Sequence, residues 1–136
     1  MVALSVGAAN GSKAALWSGR VLTGGVALFL GLDSGMKLLQ LDAVREAMAP
    51  LGYPAGLGLV IGIIEAGCLL LYILPPTAVL GAILLTGLLG GSAAAHLRVG
   101  DPLFTHVLFG VYLGILAWGG LYLRDETLRL LIPFRR

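Results

Sequence analysis

Charged residues are scarce in this 136-residue chain. Nine Lys and Arg and seven Asp and Glu make up 12% of it, whereas 58% of the residues are hydrophobic. A typical soluble domain carries about 25% charged residues. Because a soluble protein of this composition would have little polar surface to present to water, the composition predicts a small integral membrane protein. The mean hydropathy of +0.97 agrees.

Cysteine and histidine are also rare. The single cysteine, Cys68, excludes an internal disulfide and an internal two-cysteine redox motif. The two histidines, His96 and His106, are fewer ligands than a zinc site usually needs. We therefore predict no metal site and no intrinsic cofactor. The net charge of +2 is too small to indicate nucleic-acid binding.

Four continuous apolar runs dominate the chain. They lack the alternation of a strand, so they predict helices that cross a membrane. The predicted spans are residues 21–39, 57–74, 77–95 and 103–123. Short links make the last three antiparallel neighbours. The prediction is an all-α, integral membrane four-helix bundle with short loops, forming a single domain over residues 1–136.

The segments outside the spans differ in character. Residues 1–19 lack the basic start of a signal peptide and predict a short N-terminal tail. Residues 42–56 predict a short interfacial helix broken by prolines. Residues 124–136 predict a basic amphipathic tail that lies on the membrane surface or docks on a partner. Six Lys and Arg residues lie on the side of the membrane that holds both termini, and three lie on the other side. Because cytoplasmic segments carry the excess of Lys and Arg, this count predicts that both termini are cytoplasmic.

Glu65 lies in the middle of the second span. A carboxylate at this depth is costly in lipid, which marks it as a candidate functional residue. At 100° per residue, Glu65 shares a stripe with small side chains, and small residues mark contacts between membrane helices. We therefore expect Glu65 to face the bundle. The members of this stripe are Gly58, Gly62, Glu65, Cys68 and Tyr72.

His106 has a similar position on the fourth span. A regular helix places it on a stripe with Gly110, Gly114 and Ala117, so we expect it to face inward. His106 and Glu65 both fall in the outer half of the membrane. A link between them, direct or through water, is predicted. His96 falls off the small-residue stripe of its own span and is expected near the interface, an arrangement that disfavours haem ligation by the two histidines.

The first span has polar residues on two sides. Its small-residue stripe contains Gly24, Ala27, Gly31, Ser34 and Gly35. Asp33 and Lys37 fall on nearly the opposite side, at a spacing that permits a salt bridge. We expect this pair, together with Trp17, to face a partner protein, a second helix or the lipid headgroups.

An ordered set of short motifs extends over residues 20–133, and together they resemble the DoxX-like family of small bacterial membrane proteins. The motifs are Ser34-Gly35-Met36-Lys37, Gly62-Ile63-Ile64-Glu65, Pro75, Gly90-Gly91-Ser92-Ala93-Ala94-Ala95-His96-Leu97-Arg98, Asp101, His106, Trp118 and Leu123-Arg124-Asp125. The resemblance implies a four-helix bundle in the bacterial cytoplasmic membrane. It also implies a polar set of Ser34, Lys37, Glu65, His96, Arg98, Asp101 and His106. Asp33 departs from the family pattern, where an apolar or small residue is expected.

The resemblance leaves several functions open. The family takes its name from a subunit of a thiosulfate:quinone oxidoreductase, and other members are tied to membrane redox complexes. The first hypothesis is an accessory subunit of a larger electron-transfer complex, without catalytic activity of its own. The second is a quinone-interacting component in which Glu65 and His106 transfer protons, with quinone or lipid bound at the bundle surface. A small-solute transporter is the weaker third, because paired broken helices are not evident.

Two interpretations of Glu65 follow. In one, a neutral and hydrogen-bonded acid simply fixes the packing of helices. In the other, Glu65 relays protons or binds a quinone headgroup. The sequence predicts no catalytic residue. The candidate quinone or proton site comprises Glu65, His106, Ser34, Lys37 and His96.

Overall fold

The structure is a computed structural model that describes the backbone of residues 2–132 and the side chains of residues 13–132. Over this part of the chain every regular element is helical, which confirms the all-α prediction. The α-helices are α1 (Val2–Leu38), α2 (Asp42–Met48), α3 (Leu57–Ile73), α4 (Ala78–Arg98), α5 (Phe109–Arg124) and α6 (Glu126–Leu131). Short 3-10 turns occupy Ala49–Leu51 and Pro75–Thr77, and a π-helical turn occupies Leu103–Val107.

Three helical segments in the described residues are long and apolar enough to cross a membrane. They are Lys13–Leu38, Pro75–Arg98 and Leu103–Arg124, with 26, 24 and 22 residues. Helix α3 is apolar but has only 17 residues, the lower end of what a bilayer core needs. Four crossings and the orientation of the termini therefore stay predictions.

The four long helices pack in a ring. Helix α1 contacts α3 and α5, and α4 also contacts α3 and α5. Large apolar side chains such as Leu30, Leu85 and Leu121 fill the centre and are almost completely buried. Since neighbouring helices run antiparallel, the end of α1, the start of α3, the end of α4 and the start of α5 meet at one end. Helix α2, the predicted interfacial helix, lies at that same end.

Glycines set the closest helix approaches. A Cβ atom on Gly81 of α4 would lie 2.2 Å from the backbone nitrogen of Tyr72 on α3. A Cβ atom on Gly19 of α1 would lie 2.8 Å from the carbonyl oxygen of Gly120 on α5. Only residues without a side chain permit contacts this close, which is the use of small residues common in membrane helix packing.

The predicted start of the first helix is wrong. The sequence indicated a tail over residues 1–19 and a helix from residue 21, but α1 already begins at Val2. Its Gly19 is buried against α5, and this contact gives the segment before residue 21 a partner to pack against. A hydropathy window cannot detect such a contact, because glycine contributes almost no hydrophobicity.

The inward face of α1 also differs from the prediction. Val26, Leu30 and Ser34 are buried, whereas Gly24 is exposed and has open space around it. Large apolar side chains therefore fill the core here, beside Ser34 and Ala27 of the predicted stripe, which also pack inward. The expectation that small residues face the bundle holds only in part on α1, because only part of this helix lies close to the backbone of another helix.

The basic C-terminal tail is partly described. Helix α6 is capped by Asp125, whose Oδ1 accepts a hydrogen bond from the backbone nitrogen of Leu128 at 3.1 Å. Leu128 is buried against the core, whereas Leu130 and Leu131 are exposed. The remainder of the predicted tail, residues 133–136, lies outside the described residues.

Candidate functional site

A cleft of about 480 Å³ opens between the four long helices at the end where α2 lies. We call it the polar cleft. A volume of this size suits a small organic ligand. Its lining residues are Phe29, Leu30, Asp33, Lys37, Ala47, Met48, Leu51, Tyr53, Ile61, Glu65, Gly87, Leu88, Leu89, Gly91, Ser92, Ala95, His96, Phe109, Gly110 and Leu113.

One wall of the polar cleft holds a cation between two carboxyl groups. Lys37 Nζ donates a hydrogen bond to Oε2 of Glu65 at 2.6 Å and another to Oδ2 of Asp33 one turn earlier on α1. The exposed fractions of the three side chains are 17% for Lys37, 2% for Glu65 and 34% for Asp33. A charged pair at this burial is stable only if both partners are present, so the pair ties α1 to α3.

The second oxygen of Glu65 has no partner within the part of the chain that the structure describes. Oε1 is buried, and no described residue donates a hydrogen bond to it. A buried polar atom left unpaired costs about 1–3 kcal/mol, and such atoms are few in native proteins. Glu65 lines the polar cleft, and because Oε1 itself has almost no accessible surface, a donor in the cleft reaches it only if the surrounding side chains shift.

A second polar group lines the cleft from α4. The Nδ1 atom of His96 lies 2.6 Å from Oδ2 of Asp101, in the turn that follows the helix. A carboxylate accepts the N–H of this nitrogen, which fixes the ring orientation and leaves Nε2 of a neutral ring as an acceptor. The His96 side chain is 23% exposed. It is therefore both held in place and accessible.

Helix α2 and the turn after it cover the loop end of the cleft. Met48, Leu51 and Tyr53 contribute to its lining. The Arg98 guanidinium at the end of α4 donates a hydrogen bond to the carbonyl oxygen of Leu51. This bond connects the covering segment, residues 42–53, to the bundle. Lys37 lines the polar cleft and also a smaller cavity of about 180 Å³ beneath α2.

One of the predicted site residues, Glu65, lies where it was expected. Glu65 faces the bundle, and Gly62, Cys68 and Tyr72 of its predicted stripe are buried with it. His96 also lines the cleft, although the sequence placed it only near the interface.

Of the three surroundings expected for Lys37, the structure shows a second helix of the bundle, because its ammonium group is turned toward Glu65 on α3. Asp33 follows it to the edge of the cleft. Ser34 is buried, but its hydroxyl donates to the carbonyl of Gly31 within α1, and Ser34 does not line the cleft. Trp17 is 63% exposed, with the Arg20 guanidinium 5.4 Å from its ring centre.

The predicted inward position of His106 is wrong. His106 lies in the π-helical turn Leu103–Val107, where the wider turn changes the rotation of the residues before α5. Val107 is buried in its place and His106 is exposed. His106 does not line the polar cleft, and Lys37 is the residue that contacts Glu65. Its ring instead lies edge-to-face with that of His96, at 5.7 Å between centroids.

The sequence analysis missed two partnerships. The Lys37–Glu65 pair joins residues 28 positions apart, and no sequence spacing signals such a contact. The His96–Asp101 pair joins residues five positions apart across a helix end, and the histidine followed by an acid in the next turn was a usable signal. Among the described residues, no group of three or more His, Cys, Asp or Glu side chains is placed to hold a metal ion.

The comparisons with known proteins assign the chain at the level of a family. A model of the DoxX-like family matches residues 21–120, which include both polar walls of the cleft. The chain belongs to the DoxX-like family. Neither the comparison with curated proteins nor that with solved structures gave a match. Membership and the three long apolar helices indicate a small membrane protein.

Proposed function

We propose that this DoxX-like protein binds the polar head of a lipid-soluble ring compound of quinone type in the polar cleft. It would act in the bacterial cytoplasmic membrane as a component of an electron-transfer system. The observation that carries the proposal is Oε1 of Glu65, a buried acceptor without a partner among the described residues, in a residue that lines the cleft.

The shape and chemistry of the cleft support such a ligand. Apolar side chains supply most of its lining, with a few polar groups on two walls, as is common in small-molecule sites. Phe29 and Phe109 line it with their ring centroids 5.3 Å apart, and each is 42% exposed. These two rings give a flat apolar ligand an entry from the lipid side.

The ion pair suits proton transfer at a quinone. Lys37 can donate to a ring oxygen, and Glu65 can accept from a ring hydroxyl. The smaller cavity beneath α2 brings Lys37 close to the loop side, where water can exchange protons with it. Electrons would come from a partner protein. This assignment replaces His106 by Lys37 in the proton-transferring pair.

Binding to the protein in lipid nanodiscs tests the proposal. A short-tailed quinone and its reduced form serve as probes, and bound ligand is measured after separation of the discs. Ser92→Phe places a large side chain in the cleft at an exposed position. We expect at least a tenfold loss of affinity with unchanged folding.

Ala94→Phe is the matched control, because Ala94 is exposed on the same helix but does not line the cleft. It should bind the probe like the wild type. Absence of saturable binding to the wild type, or equal binding by both variants, would overturn the proposal.

An accessory, non-catalytic subunit remains the second candidate, supported by a feature on the outer face of α1. Gly24 and Gly25 have open space around them, beside the strongly exposed Val21 and Leu28. Such a notch suits the packing of another membrane helix. Gly25→Leu should then release a partner that co-purifies from native membranes in mild detergent, while ligand binding persists. Purification of the wild type as a lone monomer or homo-oligomer would contradict this role.

A further inference from the structure

The polar cleft offers hydrogen-bond acceptors on two different helices. The first is the unpaired Oε1 of Glu65 on α3. Its other oxygen is already occupied by the Lys37 ammonium. A ligand atom that meets Oε1 must therefore be a donor, such as a hydroxyl group, if Glu65 keeps its charge in the pair.

The second acceptor is His96 on α4. With Nδ1 at 2.6 Å from Oδ2 of Asp101, the ring in its neutral form has Nε2 as a lone-pair acceptor. A ligand that binds to Nε2 must therefore also supply a hydroxyl or N–H donor. A carbonyl oxygen cannot bond to either acceptor, and beside Glu65 it finds only the third N–H of Lys37.

Three lining residues, Lys37, Ser92 and Tyr53, also bring hydrogen-bond donors to the cleft. Two of the three N–H groups of Lys37 are already engaged by Asp33 and Glu65. Ser92 contributes a hydroxyl that can donate or accept. The hydroxyl groups of Ser92 and Tyr53 can take either role, so the preference for a donating ligand rests on Oε1 of Glu65 and Nε2 of His96, which can only accept.

The two acceptors also lie at different depths. Glu65 is eight residues from the loop end of α3, and His96 is two residues from the loop end of α4. At 1.5 Å per residue their backbones differ by about 9 Å along the bundle axis. A ligand that reaches both must extend along this axis, with its donors at opposite ends.

We infer that the polar cleft selects a flat diphenol with hydroxyl groups at opposite ends of the ring, one donating to Oε1 of Glu65 and the other to Nε2 of His96. This inference rests on the proposed function and deepens it. It makes the protein a site for the reduced, hydroquinone form of its ligand, because the oxidised quinone has no hydroxyl to donate to either acceptor.

Three matched probes test the inference on the full chain in nanodiscs under anaerobic, reducing conditions where needed. They are a decyl-substituted 1,4-diphenol, its mono-O-methyl ether and the corresponding 1,4-quinone. We expect the diphenol to bind at least ten times more tightly than either of the others. Equal affinities, or tighter binding of the quinone, would overturn the inference.

Substitution of His96 tests its contact separately. His96→Phe keeps a ring but removes the acceptor, so it should weaken diphenol binding about tenfold and change binding of the mono-ether less than twofold. His106→Phe is the control and should leave all three affinities unchanged, because His106 does not line the cleft and a phenylalanine ring keeps the edge-to-face contact with His96. An equal loss for the diphenol and the mono-ether in His96→Phe would show a merely structural role.

Asp101→Ala provides a second variant should His96→Phe fold poorly. Without the carboxylate, the proton on the ring is free to move to Nε2, and diphenol binding should weaken about threefold. Unchanged diphenol selectivity in this variant counts against the inference. Binding of probes without any preference leaves the proposed function intact, whereas binding of none of them removes both proposals.

Discussion

The Lys37 ammonium on α1 donates a hydrogen bond to Oε2 of Glu65 on α3, across 2.6 Å. This contact explains how an acid is tolerated in the middle of an apolar helix, since the charge of Glu65 is balanced by a partner that is itself largely buried. It also turns both side chains toward the polar cleft. Asp33 shares the same cation, so one ammonium group serves two carboxylates.

Removing the cation should destabilise the fold. In Lys37→Met, Glu65 keeps its burial but loses its counter-ion, and we expect a loss of about 3 kcal/mol in the free energy of unfolding. Thermal unfolding in detergent, followed by circular dichroism, measures the change. A combined Lys37→Met and Glu65→Leu variant should recover most of it, because the buried carboxylate is then absent and the remaining carboxylate of Asp33, whose side chain is 34% exposed, can be hydrated.

A surface ion pair serves as the control for that experiment. Arg45 and Asp42 lie 3.3 Å apart on α2, with side chains 60% and 86% exposed. Arg45→Met should cost less than about 1 kcal/mol, since solvent screens such pairs. Similar losses for Lys37→Met and Arg45→Met would contradict the special importance of the buried pair.

Two glycines on α4 should respond in opposite ways to the same substitution. Gly81→Ala places a methyl group 2.2 Å from the Tyr72 backbone, so the helices must move apart, and we expect a loss of about 1–3 kcal/mol. Gly90→Ala meets nothing within 4 Å and should be neutral or stabilising by up to about 1 kcal/mol, because alanine favours helix. Midpoints of thermal unfolding compare the two, and a Gly81→Ala variant as stable as Gly90→Ala would refute the close approach of α3 and α4.

Arg124 should not tolerate replacement by lysine. Its guanidinium donates to Oγ1 of Thr23 at 3.0 Å and to the carbonyl oxygen of Tyr72 at 3.1 Å, and it lies 5.4 Å from the Tyr72 ring centre. A lysine cannot reproduce this fork. Arg124→Lys should therefore lower the unfolding temperature measurably.

Arg129→Lys is the matched change at the same end of the molecule. Its partner Glu126 is exposed and 3.7 Å away, so the substitution should have little effect. If Arg129→Lys proves as damaging as Arg124→Lys, the three contacts of Arg124 do not carry the stability assigned to them.

The segment that covers the polar cleft should become more mobile when its hydrogen bond to Arg98 is removed. Arg98→Ala deletes the hydrogen bond to the Leu51 carbonyl, so amide hydrogen exchange over residues 42–51 should become faster. Exchange in the middle of α5 should not change. Arg20→Ala, at the opposite end of the bundle, provides the control, and equal exchange of residues 42–51 in the two variants would argue against a tether.

Local physics explains what the sequence predicts well. A long run of apolar residues has few alternatives to a buried or membrane-spanning helix, and Pro75 and Pro76 end α3 because proline cannot continue a helix that begins before it. The inward position of Glu65 also followed from the sequence. On α3 the small residues and the acid coincide on a single stripe, and this stripe is the one that packs.

The sequence predictions fail where a neighbouring helix or an irregular turn determines the direction of a side chain. A π-helical turn rotated His106 out of the cleft, and the regular period of 100° per residue cannot anticipate an added residue in one turn. Large side chains filled the core beside α1, where small ones were expected.

Composition and hydrophobic patterning thus determined the class, the helices and one buried acid of this protein. Only the tertiary structure decided that Lys37 is the partner of that acid, that His96 shares the cleft with it and that α2 covers both. The reason is that hydrophobic burial acts through patterns repeated along a helix, whereas a hydrogen bond depends on the placement of two atoms. For Glu65 and Lys37, that placement is set by the packing of α1 on α3.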